Sequence, residues 1–254
     1  MLAYRLRYFT GILTYFLFVS VHYFIWNAVY HQSGSSGDMV INGYTLSEMV
    51  TYVSVGWIAR SLYFSNIDEV IDDMVRSGEI GIYLIRPVNF QIMLFAQAIG
   101  ESLFRLIFFT FPIGLVLWLC FPIALPVSGS AMVFFLLALL IGFFILAEMN
   151  FIIGLLAFRF KSIEGLMRAK YYLVQLLSGL LIPLSFFPPA LEKILDYLPF
   201  QAISYTPLQF YLGKIPAQQI ATVFSVQLAW MFSLFVIGGL MSKKAFSRLS
   251  IQGG

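Results

Sequence analysis

The sequence predicts an all-α integral membrane fold of six transmembrane helices, and three observations carry that reading. Of 254 residues, 60% are hydrophobic and only 11% are charged, whereas a soluble domain carries roughly a quarter charged residues. Water cannot be the main solvent for such a surface. The apolar residues fall in long runs, each near the ~20 residues a helix needs to cross a bilayer. Lysine and arginine gather in alternate loops, the pattern that holds a loop on the cytoplasmic side.

Spans are expected at 8–30, 45–64, 92–120, 131–158, 171–187 and 217–241, within a single domain over 1–254. Arg5 and Arg7 precede the first run, which is too long for a signal-peptide core and lacks a small-residue cleavage site; it reads as a retained span. The following stretch His31-Gln32-Ser33-Gly34-Ser35-Ser36-Gly37-Asp38 has no hydrophobic face to bury and reads as a flexible loop. A short turn containing Pro122 and Pro126 joins the third and fourth spans as a hairpin. Arg5, Arg7, Arg76, Arg86, Arg159, Lys161, Arg168, Lys170, Lys243, Lys244 and Arg248 fall at the two termini and in the second-to-third and fourth-to-fifth loops, against only Lys193 and Lys214 opposite. Both termini are therefore expected in the cytoplasm. The net charge of +3 is small, and basic residues scattered without interleaved aromatics argue against nucleic acid; membrane lipid is the expected surrounding. The single cysteine, Cys120, rules out an internal disulfide and a cysteine metal site and reads as a small buried hydrophobe.

The one strongly charged segment follows the second span. In Ile67-Asp68-Glu69-Val70-Ile71-Asp72-Asp73-Met74-Val75-Arg76 the apolar residues recur at helical spacing and leave four carboxylates for the other, solvated face. An amphipathic helix is expected over 66–77, closed by Gly78. Helices that float on anionic lipid carry cations on the polar face; an acidic face more readily meets a protein. The alternative is a short interfacial connector between two spans.

The stretch 183–216 is broken by Pro183, Pro188, Pro189, Pro199, Pro207 and Pro216, with a short helix expected to begin at Pro189. Irregular backbone at bilayer depth needs protein or water around it. The alternative is a loop in the headgroup region anchored by Tyr197, Tyr205 and Tyr211. Charged residues within spans are Arg60, Glu101, Arg105 and Glu148. Glu101 and Arg105 are four apart and can pair on one helix, leaving Arg60 and Glu148 to pair across helices or line an inner cavity. A structural ion-pair network is the preferred reading, and contact with cargo is the other. The lone His22 reads as structural.

No reactive constellation of a membrane enzyme is present: there is no His-Glu-x-x-His, no Gly-x-Ser-x-Gly and no aspartate pair at bilayer depth. Nor is there a Gly-x-x-x-x-Gly-Lys-Ser/Thr phosphate loop, since Gly213-Lys214 is followed by Ile215 and lacks the upstream glycine. No catalytic, metal or cofactor residues are expected on this chain.

Several linked segments carry a resemblance to a known family. Val75-Arg76-Ser77-Gly78-Glu79-Ile80-Gly81-Ile82-Tyr83-Leu84-Ile85-Arg86-Pro87-Val88-Asn89, then Ser178-Gly179-Leu180-Leu181-Ile182-Pro183-Leu184-Ser185-Phe186-Phe187-Pro188-Pro189, then Leu198-Pro199-Phe200-Gln201 with Thr206-Pro207 and Tyr211-Leu212-Gly213-Lys214, and Leu2-Ala3-Tyr4-Arg5-Leu6, resemble the type-two family of ATP-binding-cassette (ABC) exporter permeases. The branch of daunorubicin- and viologen-exporter-like permeases is the most similar. Such permeases often carry a further amphipathic stretch ahead of the first span, and this chain begins almost at the span. The resemblance implies the permease subunit of an exporter in the bacterial plasma membrane, half of a translocation path, with ATP and magnesium on separate ABC ATPase subunits. It implies that Ile67, Asp68, Glu69, Val70, Ile71, Asp72, Asp73, Met74 and Arg76 form the ATPase-coupling helix. It implies that Pro183, Pro188, Pro189, Pro199 and Phe200 belong to a re-entrant outer gate. It also implies a second permease subunit, identical or paralogous. An ATPase-independent channel or scaffold is the alternative function.

Overall fold

In a computed structural model the described residues are 2–32, 39–84, 87–160 and 162–247, with backbone alone for 2–9, 32 and 84. The expected flexible stretch 33–38, together with Arg86, Lys161 and Arg248, lies outside the described residues, as do the side chains of Arg5 and Arg7. The described chain is helical, with one isolated β-bridge between Ile41 and Tyr44.

Helix α1 (Leu2–Gln32) is apolar on every side and buries little of itself; Leu13, Leu17, Phe24 and Ile25 are exposed. Helix α2 (Leu46–Tyr63) begins at a capping box in which the Thr45 side chain accepts from the Glu48 amide at 3.2 Å and Glu48 accepts from the Thr45 amide at 2.9 Å. That exchange satisfies two amide donors that a helix start leaves open. Helix α3 (Ile67–Ser77) ends at Gly78, whose φ of 77° is the left-handed conformation that glycine adopts without a Cβ penalty. The short α4 (Ile80–Leu84) follows.

Helix α5 (Phe90–Arg105) continues through a wide π turn at Leu106–Thr110 into α6 (Phe111–Cys120). The cause is Pro112, which has no amide to donate to Phe108 and whose ring crowds that carbonyl. The ladder widens by one residue, and the Phe111 amide bonds to Leu106 instead. Cys120, expected to be buried, is exposed at the end of α6, where a small apolar side chain is at home in lipid.

Helix α7 (Gly129–Gly154), capped by Ser128 and prolonged by a 3₁₀ turn at Leu155–Phe158, is the central strut. It packs against α2, α3, α5 and two later helices, α10 (Tyr205–Tyr211) and α11 (Ile220–Phe246). Between α7 and those lie α8 (Glu164–Leu177) and α9 (Pro189–Leu195). Among the described residues four stretches are long and apolar enough to cross a membrane: Thr10–His31, Phe90–Cys120, Gly129–Phe158 and Ala217–Phe246.

The second and fifth expected spans differ from these four, each for a physical reason. Helix α2 carries Thr51, Ser54, Arg60 and Ser61, all buried, because protein packs around it and meets Thr51, Arg60 and Ser61 with hydrogen bonds from or to Ala124, Tyr171 and Thr110. The fifth span was expected at 171–187. Helix α8 instead runs over Glu164–Leu177, about 21 Å at 1.5 Å per residue, short of the ~30 Å hydrocarbon core. The chain turns at Gly179, with φ of 79°, and continues as irregular backbone.

The proline-broken segment is not a surface loop. The six residues Thr206, Pro207, Leu208, Gln209, Phe210 and Tyr211 of α10 are buried, and only Tyr197 of the three expected tyrosine anchors is strongly exposed, at 80%. The turn before α10 lies on the midpoint of α7, where a Cβ on Gly142 would stand 2.6 Å from the Ala202 carbonyl oxygen. It reaches down to the last residue of α2, where Ser204 and Tyr63 share a 2.6 Å hydrogen bond. Its non-helical backbone is satisfied by protein, as bilayer depth demands: Gln227 of α11 donates to the Ala202 carbonyl at 3.1 Å, and the Tyr205 amide donates to Ser178 at 2.9 Å.

This contact gives the first prediction. Gly142→Val places side-chain atoms against backbone that cannot rotate away, and overpacking of this kind costs about 1–3 kcal/mol or more. Thermal unfolding of the purified protein in detergent should show a lower Tm for Gly142→Val than for Gly100→Ala, whose Cβ meets nothing within 4 Å. Equal melting would mean that the turn does not sit on α7.

Candidate functional site

Helix α3 is the element on which the candidate site is built. Its apolar residues Ile67, Ile71 and Met74 are buried against α7 and the 3₁₀ turn beyond it, while Val70 and Val75 are partly covered. Gly154 makes the seat possible, since a Cβ there would meet Ile71 Cδ1 at 2.7 Å and Asp68 Cα at 3.0 Å. The two helices touch almost backbone to backbone.

The carboxylates do not share one solvated face, contrary to the expectation from helical spacing. Asp68 is 3% exposed and Asp72 4%; Glu69 and Asp73 face outward. Asp72 is met by Arg76 one turn on in α3, while Asp68 is met by partners that the spacing of α3 alone does not reveal. Lys170 of α8 forms a short ion pair with Asp68 and donates to Asn150 of α7 at 2.6 Å. Asn150 in turn donates to the Ser65 carbonyl at 2.7 Å. Asp72 pairs with Arg76 at 3.0 Å, and Arg76 donates to Ser162 at 3.1 Å.

Between α3 and α8 lies a cleft of about 630 Å³, lined by residues of both helices and by Phe64, Ser65 and Asn66. Its ion pairs are Asp68–Lys170, Asp72–Arg76 and Glu164–Arg168, the last at 3.7 Å and well exposed. Glu69 and Asp73, also on its wall, belong to none of the ion pairs among the described residues. Burial, and then the neighbouring Asp68, push the Glu69 carboxyl above the usual carboxylate range, opposed by Lys170. Two like charges four apart on a helix repel, so this wall favours a cation.

The charges within the spans do not form the expected network. Glu101 and Arg105 do pair on α5, but at 3.8 Å and with Glu101 40% exposed; the Arg105 guanidinium also lies 5.4 Å from the centre of the Phe64 ring. Arg60 does not pair with Glu148. It sits among the rings of Trp57, Phe64 and Tyr171 and donates to the Tyr171 hydroxyl at 3.1 Å, a cation–π arrangement that replaces a carboxylate. Glu148 is 1% exposed and held by Gln91, whose amide donates to both carboxylate oxygens at 3.1 and 2.9 Å and to the Phe235 carbonyl at 3.0 Å. Gly238 lets α11 lie over this pair, since a Cβ there would meet Gln91 Nε2 at 2.9 Å. His22 makes only a contact within its own helix, with the Phe18 carbonyl, and a tilted contact with Trp57.

Of the outer residues, Pro183 precedes a 3₁₀ turn, Pro188 and Pro189 start α9, and Pro199 and Phe200 lie in the turns that lead to α10. Sequence reasoning missed Tyr52, which donates a short hydrogen bond to the Gly179 carbonyl; Gln91 and Lys170 were missed as well. Asn150 was the one with a visible signal, being a second polar residue beside Glu148 in an otherwise apolar run.

The described residues form a helical bundle with four stretches able to cross a membrane, a polar cleft beside α3 and a proline-broken turn packed against α7. A family model described as ABC-2 family transporter protein matches residues 16–253. The chain belongs to this family and is a membrane permease component of an ABC transporter. Comparison with curated proteins and with solved structures gives no match.

The buried node yields a second prediction. Lys170→Met strands the Asp68 carboxylate, and breaking a buried pair costs about 3–5 kcal/mol, whereas replacing both partners is often near neutral. Lys170→Met with Asp68→Leu should therefore melt closer to the wild type than Lys170→Met alone. A double variant no more stable than the single one would remove the node from the account.

Proposed function

We propose that this chain is the transmembrane subunit of an ABC exporter, driven by a separate ATPase that binds ATP and magnesium and docks on α3. The observation that carries the reading is the division of α3 into two faces. One is seated on α7 and tied to α8 through Lys170; the other presents Glu69 and Asp73 unpaired. A helix fixed on its inner face transmits displacement rather than absorbing it, and rigid elements of this kind bias alternating arrangements of packed helices. The same observation argues against a mere connector, which needs no buried tether to a later helix.

In this reading α2 is the second crossing, and α8 with the irregular stretch after it is the fifth, giving six crossings with both termini in the cytoplasm. The distribution of cations supports the orientation. Arg76, Arg159, Arg168, Lys170 and Lys244 lie toward the α3 end, as does Lys243 in the last turn of α11, while Lys214 at the other end is spent on Glu48 and the Gly43 carbonyl, each at 2.8 Å. The turn before α10 serves as the outer gate. One chain supplies half of a path, and a second permease, identical or paralogous, supplies the rest. The bacterial plasma membrane and a place in the daunorubicin- and viologen-exporter-like branch of the family are part of the same reading, drawn from the resemblance of the segments quoted above.

Docking is tested on the outward carboxylates and not on Asp72, whose burial would confound the result. Glu69→Lys with Asp73→Lys should cut copurification with the ATPase and transport-stimulated hydrolysis at least tenfold, with the Tm within a few degrees of wild type. Full stimulation in that variant would mean that the ATPase docks elsewhere than on α3, whereas a wild-type chain that binds no ATPase would favour a channel or scaffold.

Topology is tested by cysteine labelling in a Cys120→Ala background, needed because Cys120 is exposed. A cysteine at Lys193 should react with an impermeant maleimide in intact cells, and one at Ser162 only after permeabilisation. Labelling of Ser162 from outside would break the six-crossing arrangement.

A further inference from the structure

At the inner ends of α7 and α11 the surface carries a groove of about 220 Å³. Its floor is apolar, built from Leu155, Leu156, Met241 and Ala245, and two cations from different helices stand over it: Arg159 after the 3₁₀ turn of α7, and Lys244 in the last turn of α11. Both are exposed, and neither belongs to an ion pair among the described residues. The clefts beside α3, beside Glu101 and beside Asp196 each present carboxylates; this groove presents none.

The position of the groove along the membrane normal is set by the helices that form it. Gly129–Phe158 and Ala217–Phe246 are both long and apolar enough to cross, so Arg159 and Lys244 stand where the hydrocarbon ends. A ligand there must offer negative charge at headgroup level and apolar surface just below it. We propose that this groove is a binding site for an anionic phospholipid, its phosphate held between Arg159 and Lys244 and the first part of an acyl chain lying on Leu156 and Met241. Guanidinium and ammonium groups recognise a phosphodiester by charge-assisted hydrogen bonds, and basic pockets between helix ends on the cytoplasmic side suit anionic headgroups. A soluble anion would gain the charges but leave the apolar floor in contact with water. The bound lipid would bridge the central strut to α11 at the end where α3 is seated.

The inference does not require the ATPase, and its test uses the permease alone. The full chain is purified from mixed micelles of phosphatidylglycerol and phosphatidylcholine, and retained lipid is counted by native mass spectrometry. Each cation near an anionic headgroup is worth roughly fivefold in affinity. Arg159→Gln should therefore lower the ratio of retained phosphatidylglycerol to phosphatidylcholine roughly fivefold, and Arg159→Gln with Lys244→Gln roughly thirtyfold. Lys193→Gln and the charge-preserving Arg159→Lys with Lys244→Arg should leave the ratio near that of wild type. Leu156→Trp keeps both cations and fills the floor, so it should lower phosphatidylglycerol retention as well. Monodisperse elution and unchanged phosphatidylcholine retention establish that each variant is folded.

The proposal fails if the double Gln variant keeps the wild-type ratio. It also fails if Leu156→Trp has no effect, which would reduce the attraction to surface charge without a groove. Displacement of phosphatidylglycerol by millimolar inorganic phosphate would overturn it too, since the site would then read a free anion.

Discussion

Close approach of backbone to α7 is the constraint on which the rest of this structure depends. In lipid no hydrophobic force holds helices together, so association rests on packing at small residues and on hydrogen bonds between helices. Helix α7 supplies both. Gly142 admits the turn before α10 and Gly154 admits α3, while Glu148 and Asn150 between them reach Gln91 and Lys170. Across the same strut Gly238 of α11 closes over the Gln91–Glu148 contact. Helices α3, α5 and α11 and the turn before α10 are therefore registered against one helix, and a shift of any of them must be felt as a shift along α7.

Charge is handled according to depth, and the cost of burial explains which partner each ion has. Asp68, almost wholly buried, has an ammonium and sits beside an amide that shares it; an isolated ion there would cost several kcal/mol. Arg60 is met by aromatic faces, which lower the charge cost without adding a second ion to desolvate. Glu101 and Arg105 stand where Glu101 is 40% exposed, and such a pair contributes about 1 kcal/mol or less. Glu69 and Asp73, on the wall of the α3 cleft, belong to no ion pair among the described residues, and repulsion between them would be relieved by a cation.

The long apolar runs were legible in the sequence because lipid contact imposes composition directly. The bounds of α2 and α3, the Gly78 cap and the start of α9 at Pro189 follow from local chemistry, whereas α11 runs to Phe246, past the expected end at 241. What was not legible has a common cause. Helical periodicity assigns a residue to a face, but whether that face meets water depends on a neighbour distant in sequence. Asp68 and Asp72 lie among residues of α7 and α8, roughly eighty to a hundred positions on, and Lys170 reads locally as one more topological cation. Arg60 and Glu148 looked like natural partners because charge suggests charge, while the actual partners, Tyr171 and Gln91, are neutral. The shortened α8 was hidden because apolar composition continues through 178–187 although the helix does not: Gly179 breaks the helix, and the irregular backbone beyond it is buried in protein.

The α3 cleft and the turn before α10 are closer together than their places in the chain suggest. That turn hydrogen-bonds through Ser204 to Tyr63, the last residue of α2, and α3 begins four residues later at Ile67. The intervening Ser65 has its carbonyl bonded to Asn150, the same side chain that accepts from Lys170. A displacement of α3 therefore meets the turn before α10, the proposed outer gate, by two routes, along the short backbone through Tyr63 and through Asn150 and the body of α7. Both routes are stiff, one covalent and one packed against glycine without slack. Proximity alone is not coupling, which requires an element with two arrangements. The irregular stretch between Gly179 and α10 is the candidate for that element, because outside the short α9 and its local turns it is held to α2 and α11 by single hydrogen bonds with Tyr52, Tyr63 and Gln227. Such bonds can be exchanged singly, whereas α7 can only move whole, so the proposed access change is borne by the broken segment while the strut beside it stays intact.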